Sequence, residues 1–195
     1  MSEKNFTKNE KNAGSALGDL ILAGVLVGVI VAGRLLPHPA NFAPTAAVAL
    51  LAGVKLRRRW ALVLPLIGLT LSDFLLPSYS LRGRLVVYGT FCLVGLIGWA
   101  IRRRATAGKI LLGSLSGSVI FFLLTNCVWL YSPVMYPHTT AGQLASYING
   151  LPFFRATLAG DLCYTGLLFG AYYLVRNLVK RRAAKLARAA MVSTD

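Results

Sequence analysis

The sequence predicts an all-α integral membrane protein, a bundle of six transmembrane helices, and three observations carry that prediction. Of the 195 residues, 56% are hydrophobic and only 14% are charged, with a mean hydropathy of +0.63, a balance foreign to soluble domains. The apolar residues gather into six runs, at about 17–36, 44–54, 60–76, 85–101, 110–131 and 151–175. The basic residues gather into short clusters between alternate runs, as topology signals do.

The elements follow in order. Residues 1–16 are polar and too short for a domain, so they read as a flexible cytoplasmic tail. Leu17 to Leu36 is about as long as a hydrocarbon core of ~30 Å requires at 1.5 Å per residue. It reads as an uncleaved first span, because "VAG" at Val31 to Gly33 is a poor cleavage site and more apolar chain follows it. "PHPANFAP", Pro37 to Pro44, holds three prolines and is a turn, with Pro44 suited to the first position of a helix. The second run, 44–54, is short for a span and by length alone fits a re-entrant segment. Charge argues otherwise: if this run crosses, "KLRRR" at Lys55 to Arg59 falls on the side of the N-terminal tail, and every later basic cluster follows suit. Residues 17–176 are then the membrane domain and 177–195 a basic cytoplasmic tail, with both termini cytoplasmic.

Only Arg34, Arg82, Arg84 and Arg155, of 21 Lys and Arg residues, fall outside the predicted inner segments. That asymmetry is what the positive-inside rule demands. It also explains the net charge of +15 without nucleic acid, since the basic residues punctuate apolar runs and form no basic domain. The bilayer is the partner the composition requires.

Small residues recur every four positions: Gly24, Gly28 and Ala32 in the first run, Gly113 and Gly117 in the fifth, Gly166 and Gly170 in the sixth. Such spacing lets helix backbones approach closely in lipid. Packing within the bundle is the plain expectation. The first run is the one stripe that reads equally as a docking face for another protein.

Two charges stand inside the sixth run, "PFFRATLAGDLCYTGLLFG" at 152–170. Arg155 lies about one turn in and can snorkel to the interface. Asp161 lies ten residues beyond Leu151, ~15 Å deep, where it must be paired, protonated or facing a wet cavity. Asp73, Asn126 and Asn41 fall toward the same outer side, whereas the inner halves of the runs carry few polar side chains. The bias points to an outward-opening pocket with Asn41, Asp73, Asn126, Arg155 and Asp161 as ligand-binding candidates. Mutual pairing between helices is the alternative, and it accounts for the residues but not for their shared side.

Trp129, Tyr131 and Tyr136 read as an aromatic belt at the outer interface. Cys92, Cys127 and Cys163 lie in different runs without CxxC spacing, and His38 and His138 lie in different loops, so no metal site or disulfide framework is expected. No Gly-rich phosphate loop, HExxH or GxSxG is present. Catalytic residues and cofactors are therefore not expected.

Four blocks carry a resemblance: "RLLPHPANFAPTAAVALLAG" (Arg34 to Gly53), "LSDFLL" (Leu71 to Leu76), "TNCVWL" (Thr125 to Leu130) and "YPHTTAGQLASYINGLPFFRATLAGDLCYT" (Tyr136 to Thr165). They resemble an uncharacterised family of small bacterial polytopic inner-membrane proteins, over nearly all of the chain after the tail. The resemblance implies no activity, but it places Asn41, Asp73, Asn126, Arg155 and Asp161 at motif positions. It also implies other small or aromatic residues at Cys127 and Cys163, which weakens any thiol-based role. In architecture alone the chain is also similar to the S components of energy-coupling-factor vitamin transporters, six-helix proteins with an outer ligand pocket and a small-residue docking face on the first helix. That similarity implies an energising transporter module as partner, docked on Gly24, Gly28 and Ala32.

The function expected from all this is a small-solute binding or transport subunit of the bacterial inner membrane. A structural or assembly subunit of a membrane complex is the alternative, and a lipid- or envelope-modifying enzyme has less support.

Overall fold

The computed structural model describes the backbone of residues 3–77 and 80–192, and the side chains of residues 16–77 and 80–186. Within them lie six α-helices: α1 (Glu3–Leu35), α2 (Thr45–Lys55), α3 (Arg58–Asp73), α4 (Leu81–Ile101), α5 (Ala107–Thr125) and α6 (Thr140–Val192). Two short 3-10 turns follow α4 and α5, and no strand occurs among the described residues.

Four helical stretches, Ala16–Leu35, Leu81–Arg104, Ala107–Thr125 and Thr140–Leu186, are long and apolar enough to cross a membrane. They turn many large apolar side chains outward, among them Leu17, Leu20, Leu85, Leu112 and Leu167, each at least half exposed. So much exposed apolar surface is costly in water and natural against lipid. The other two helices are shorter. α2 has 11 residues and α3 has 16, which at 1.5 Å per residue gives roughly 16 and 24 Å against a core of ~30 Å.

α2 makes up for its length by its position. Every residue from Thr45 to Val54 is buried, and the helix touches all five others. Its alanines present almost no side-chain bulk, so neighbouring backbones close in on it. A Cβ on Gly53 would strike the Gly95 carbonyl of α4, one on Gly98 would strike the Leu50 carbonyl of α2, and one on Gly95 would strike the Ala61 carbonyl of α3. Three helices thus meet backbone to backbone, the packing that small residues make possible where lipid supplies no hydrophobic drive. α1 lays Ala23, Leu26 and Ile30 against this core, with Ile30 seated on Gly68 of α3.

The small-residue stripes divide. Gly113 and Gly117 of α5 are buried against Leu50 and Val94, as internal packing requires. Gly24, Gly28, Gly166 and Gly170 are exposed, and a Cβ on any of them would meet nothing.

Several boundaries differ from the apolar runs. α1 begins at Glu3, inside the segment read as a tail, where no proline interrupts the helix. α5 stops at Thr125 instead of running to Tyr131, and α6 starts at Thr140 instead of Leu151. One side chain ties these two departures together: Gln143 of α6 donates to the Asn126 carbonyl (2.9 Å) and accepts from the Val128 N–H (3.1 Å). Ser146 adds a second donor to the same carbonyl, 3.0 Å away. The backbone groups freed where α5 ends are thereby satisfied by the first turns of α6. Pro152 lies within α6 and does not end it, and the helix runs on to Val192.

At the opposite end, Lys55 closes α2 onto α6. Its ammonium donates to the Tyr173 hydroxyl at 2.8 Å and lies 4.9 Å from the Tyr172 ring centre. Arg58 lies 4.9 Å from the Trp99 ring of α4. The basic clusters thus gather at the end of the bundle away from the loops that carry Asn41 and Asn126.

Candidate functional site

Arg34 occupies the last turn of α1, where its positive charge also complements the helix C-terminus. Its Nη1 donates to Asp73 Oδ1 (2.6 Å), Ser72 Oγ (2.5 Å) and the Leu69 carbonyl (3.3 Å), all at the end of α3. The second oxygen of Asp73 accepts from the Tyr88 hydroxyl of α4 at 2.8 Å, with Arg84 Nε at 3.9 Å. Asp73 is 4% exposed and Arg34 17%, so this pair is largely removed from water. Both carboxylate oxygens of Asp73 are engaged, and the carboxylate fixes the guanidinium rather than offering itself to a ligand.

On the other side α5 and α6 are joined by two polar rungs. Ser118 donates to Asp161 Oδ2 at 2.6 Å, and Ser114 Oγ lies 3.1 Å from Thr165 Oγ1. Both rungs are spaced four residues apart on both helices, so they share one interface. Asp161 is 3% exposed and has no cationic partner among the described residues. An ionised carboxyl so placed is costly unless a cation, a proton or water joins it.

A cavity of about 380 Å³ lies between the two walls. Arg34 and Asp161 line it from opposite helices, with Asn41, Thr45 and Thr157 adding polar edges, and with Leu69, Val87, Phe91 and Phe121 forming an apolar flank. Its mouth is shaped by the turn between α1 and α2. There Asn41 adopts φ 64°, in the left-handed region that Asn tolerates better than most residues. Phe42 packs on Gly160 of α6 and stands 5.5 Å from the Tyr164 ring. The turn is thereby pinned to α6 one residue from Asp161, which is why the "NFAP" and "LAGD" segments meet in space.

Of the five ligand-binding candidates read from the sequence, the structure brings Asn41 and Asp161 together at this cavity, with Asp73 behind Arg34. Asn126 lies elsewhere: it ends α5, its amide donates to the Phe122 carbonyl at 2.9 Å, and it lines a separate cavity of about 430 Å³ with Tyr136 and Asn149. Arg155 lies on an exposed face of α6 and lines neither cavity. Residues the sequence reading passed over are Arg34, Ser118, Thr157 and Tyr88. The polar inventory is accordingly less one-sided than expected, because Ser114 and Ser118 continue it along α5.

No curated protein and no solved structure matches the chain. A family model does, over residues 15–186, which takes in α2 to α5, most of α1 and α6, and both walls of the cavity. The chain therefore belongs to the family of unknown function DUF6580.

Proposed function

We propose that this protein is a six-span subunit of the bacterial inner membrane that binds a small solute in the cavity between Arg34 and Asp161, as the capture component of a transporter. In this reading both termini are cytoplasmic, the basic end with Lys55, Arg57 to Arg59 and Arg102 to Arg104 faces inward, and the cavity opens outward. α2 and α3 act together as a short central pair sheltered by the four long helices. The observation that carries the reading is the cavity itself, which has a charged group of each sign on opposite walls and an apolar flank, the arrangement of a small-molecule site. The exposed Gly24, Gly28 and Ala32 of α1 would receive the energising subunits.

The test is labelling from one side. With the three native cysteines replaced, Thr157→Cys in the cavity wall is expected to react with a membrane-impermeant maleimide added outside intact cells. A cell extract of small molecules should slow that reaction. No labelling from outside, or labelling only from the cytoplasmic side of inverted vesicles, would contradict the proposal.

A second reading has one observation in its favour. A Cβ on Gly24 or Gly28 of α1 would meet nothing among the described residues, as an assembly subunit of a membrane complex would need. In that case Gly28→Leu releases a partner on co-purification, while changes in the cavity leave the complex intact.

A further inference from the structure

We infer that the molecule held in this cavity is amphoteric: it carries an ammonium group for Asp161, an anionic group for Arg34, and an apolar body that lies on the flank formed by Leu69, Val87, Phe91 and Phe121. The inference rests on the reading of the cavity as a binding site and adds the chemistry of the occupant.

Three observations carry it. The first is the unused bonding capacity of Arg34. All its hydrogen bonds to Leu69, Ser72 and Asp73 leave from Nη1, so Nε and Nη2 have no hydrogen-bond partner among the described residues, and Arg34 lines the cavity. A guanidinium held by a carboxylate at one corner keeps its remaining N–H groups for an anion, and they suit a carboxylate or a phosphate equally.

The second observation is the mirror image on the opposite wall. Asp161 uses Oδ2 for Ser118 and leaves Oδ1 without a hydrogen-bond partner among the described residues, in a residue that is 3% exposed and lines the cavity. The missing partner is a donor, and a cationic one matches the carboxylate best. Arg34 thus brings open N–H donors to the cavity from α1, and Asp161 an open carboxyl oxygen from α6. A ligand of one sign would meet the open groups of one wall and leave those of the other without a partner. A zwitterion satisfies both.

The third is size and lining. A cavity of about 380 Å³ is equivalent to a sphere roughly 9 Å across, at the lower end for small-molecule sites. Leu69, Val87, Phe91 and Phe121 give it an apolar flank, with the Phe91 and Phe121 rings 5.4 Å apart. Free amino acids with large apolar side chains have this chemistry. So does the head group of phosphatidylethanolamine, an ammonium next to a phosphate.

The test uses the full chain in nanodiscs of phosphatidylglycerol. Binding is measured by native mass spectrometry for L-leucine, L-phenylalanine and L-tryptophan, and for the amine and the carboxylic acid that share each side chain. Phosphatidylethanolamine is added in a separate arm. The expected result is that a free zwitterion, or phosphatidylethanolamine over phosphatidylglycerol, binds at least tenfold more tightly than the singly charged analogues. Asp161→Asn should then abolish the preference for the zwitterion over the acid, and Arg34→Gln the preference over the amine. Arg82→Ala, which lies outside the cavity, keeps both preferences, and the melting temperature of each variant without ligand reports its folding. Equal binding of an amine or an acid overturns the inference, and so does the absence of binding by every amphoteric probe. In either case, slowed labelling of Thr157→Cys by cell extract would leave the cavity standing as a site for another class of molecule.

Discussion

Arg34 and Asp73 are coupled so tightly that neither can be changed alone without leaving the other exposed to a low-dielectric setting. Asp73→Ala strands a guanidinium that is only 17% exposed, and breaking a buried pair from one side costs about 3–5 kcal/mol. Replacing both partners with apolar residues, Arg34→Met with Asp73→Leu, is expected to cost less than Asp73→Ala alone. A double-mutant cycle on thermal stability in detergent checks this, and additive losses would contradict the coupling. At this scale the sequence was half legible. The cost of an aspartate in an apolar run marks Asp73 and Asp161 without any structure. Arg34 was hidden because an arginine at the end of an apolar run is explained equally well by snorkelling. Depth along a helix says nothing of direction around it: Arg155 lies six residues from Asp161, roughly 120° away around the helix. Thr157 and Thr165, four residues to either side of Asp161, share its face, and that stripe could have been read from the spacing alone.

Among the elements, α2 bears most on stability because the others pack against its backbone. Gly53→Val would drive a side chain from α2 into the Gly95 carbonyl of α4, and overpacking of this kind costs about 1–3 kcal/mol or more. Gly28→Val, in open space on α1, should leave the melting temperature of the isolated protein within the error of the measurement. Parallel melting curves of the two variants test the contrast, and equal losses would place the small face of α1 inside the bundle. The order of the helices and the shortness of α2 were visible from apolar runs and proline turns. The ends of α5 and α6 were not. They depend on Gln143 and Ser146 closing over the Asn126 carbonyl, a long-range contact with no local signature. Pro152, at the start of the sixth apolar run, lies well inside α6.

For the whole molecule, the chain has four helices long and apolar enough to span, and the six-span proposal turns on whether α2 and α3 cross as a pair. In a cysteine-free background, Asn41→Cys should then label from outside and Arg57→Cys only from the cytoplasm. Labelling of both from one side would make α2 re-entrant. The two charged walls belong to this scale as well, since Arg34 reaches the cavity from α1 and Asp161 from α6, and only the folded bundle sets them opposite each other. The outward bias of polar residues hinted at a pocket. The pairing of one cationic and one acidic wall could not be seen, because α1 and α6 are joined through the packing around α2 and not through any sequence neighbour.

The central claim is that the cavity between Arg34 and Asp161 holds a small molecule. Native mass spectrometry of the intact protein, extracted gently from its own membranes, tests it most directly. The expected result is a reproducible small-molecule adduct that is lost in Asp161→Asn and in Arg34→Gln but kept in Arg82→Ala. A bare chain, or an adduct indifferent to all three substitutions, would contradict it.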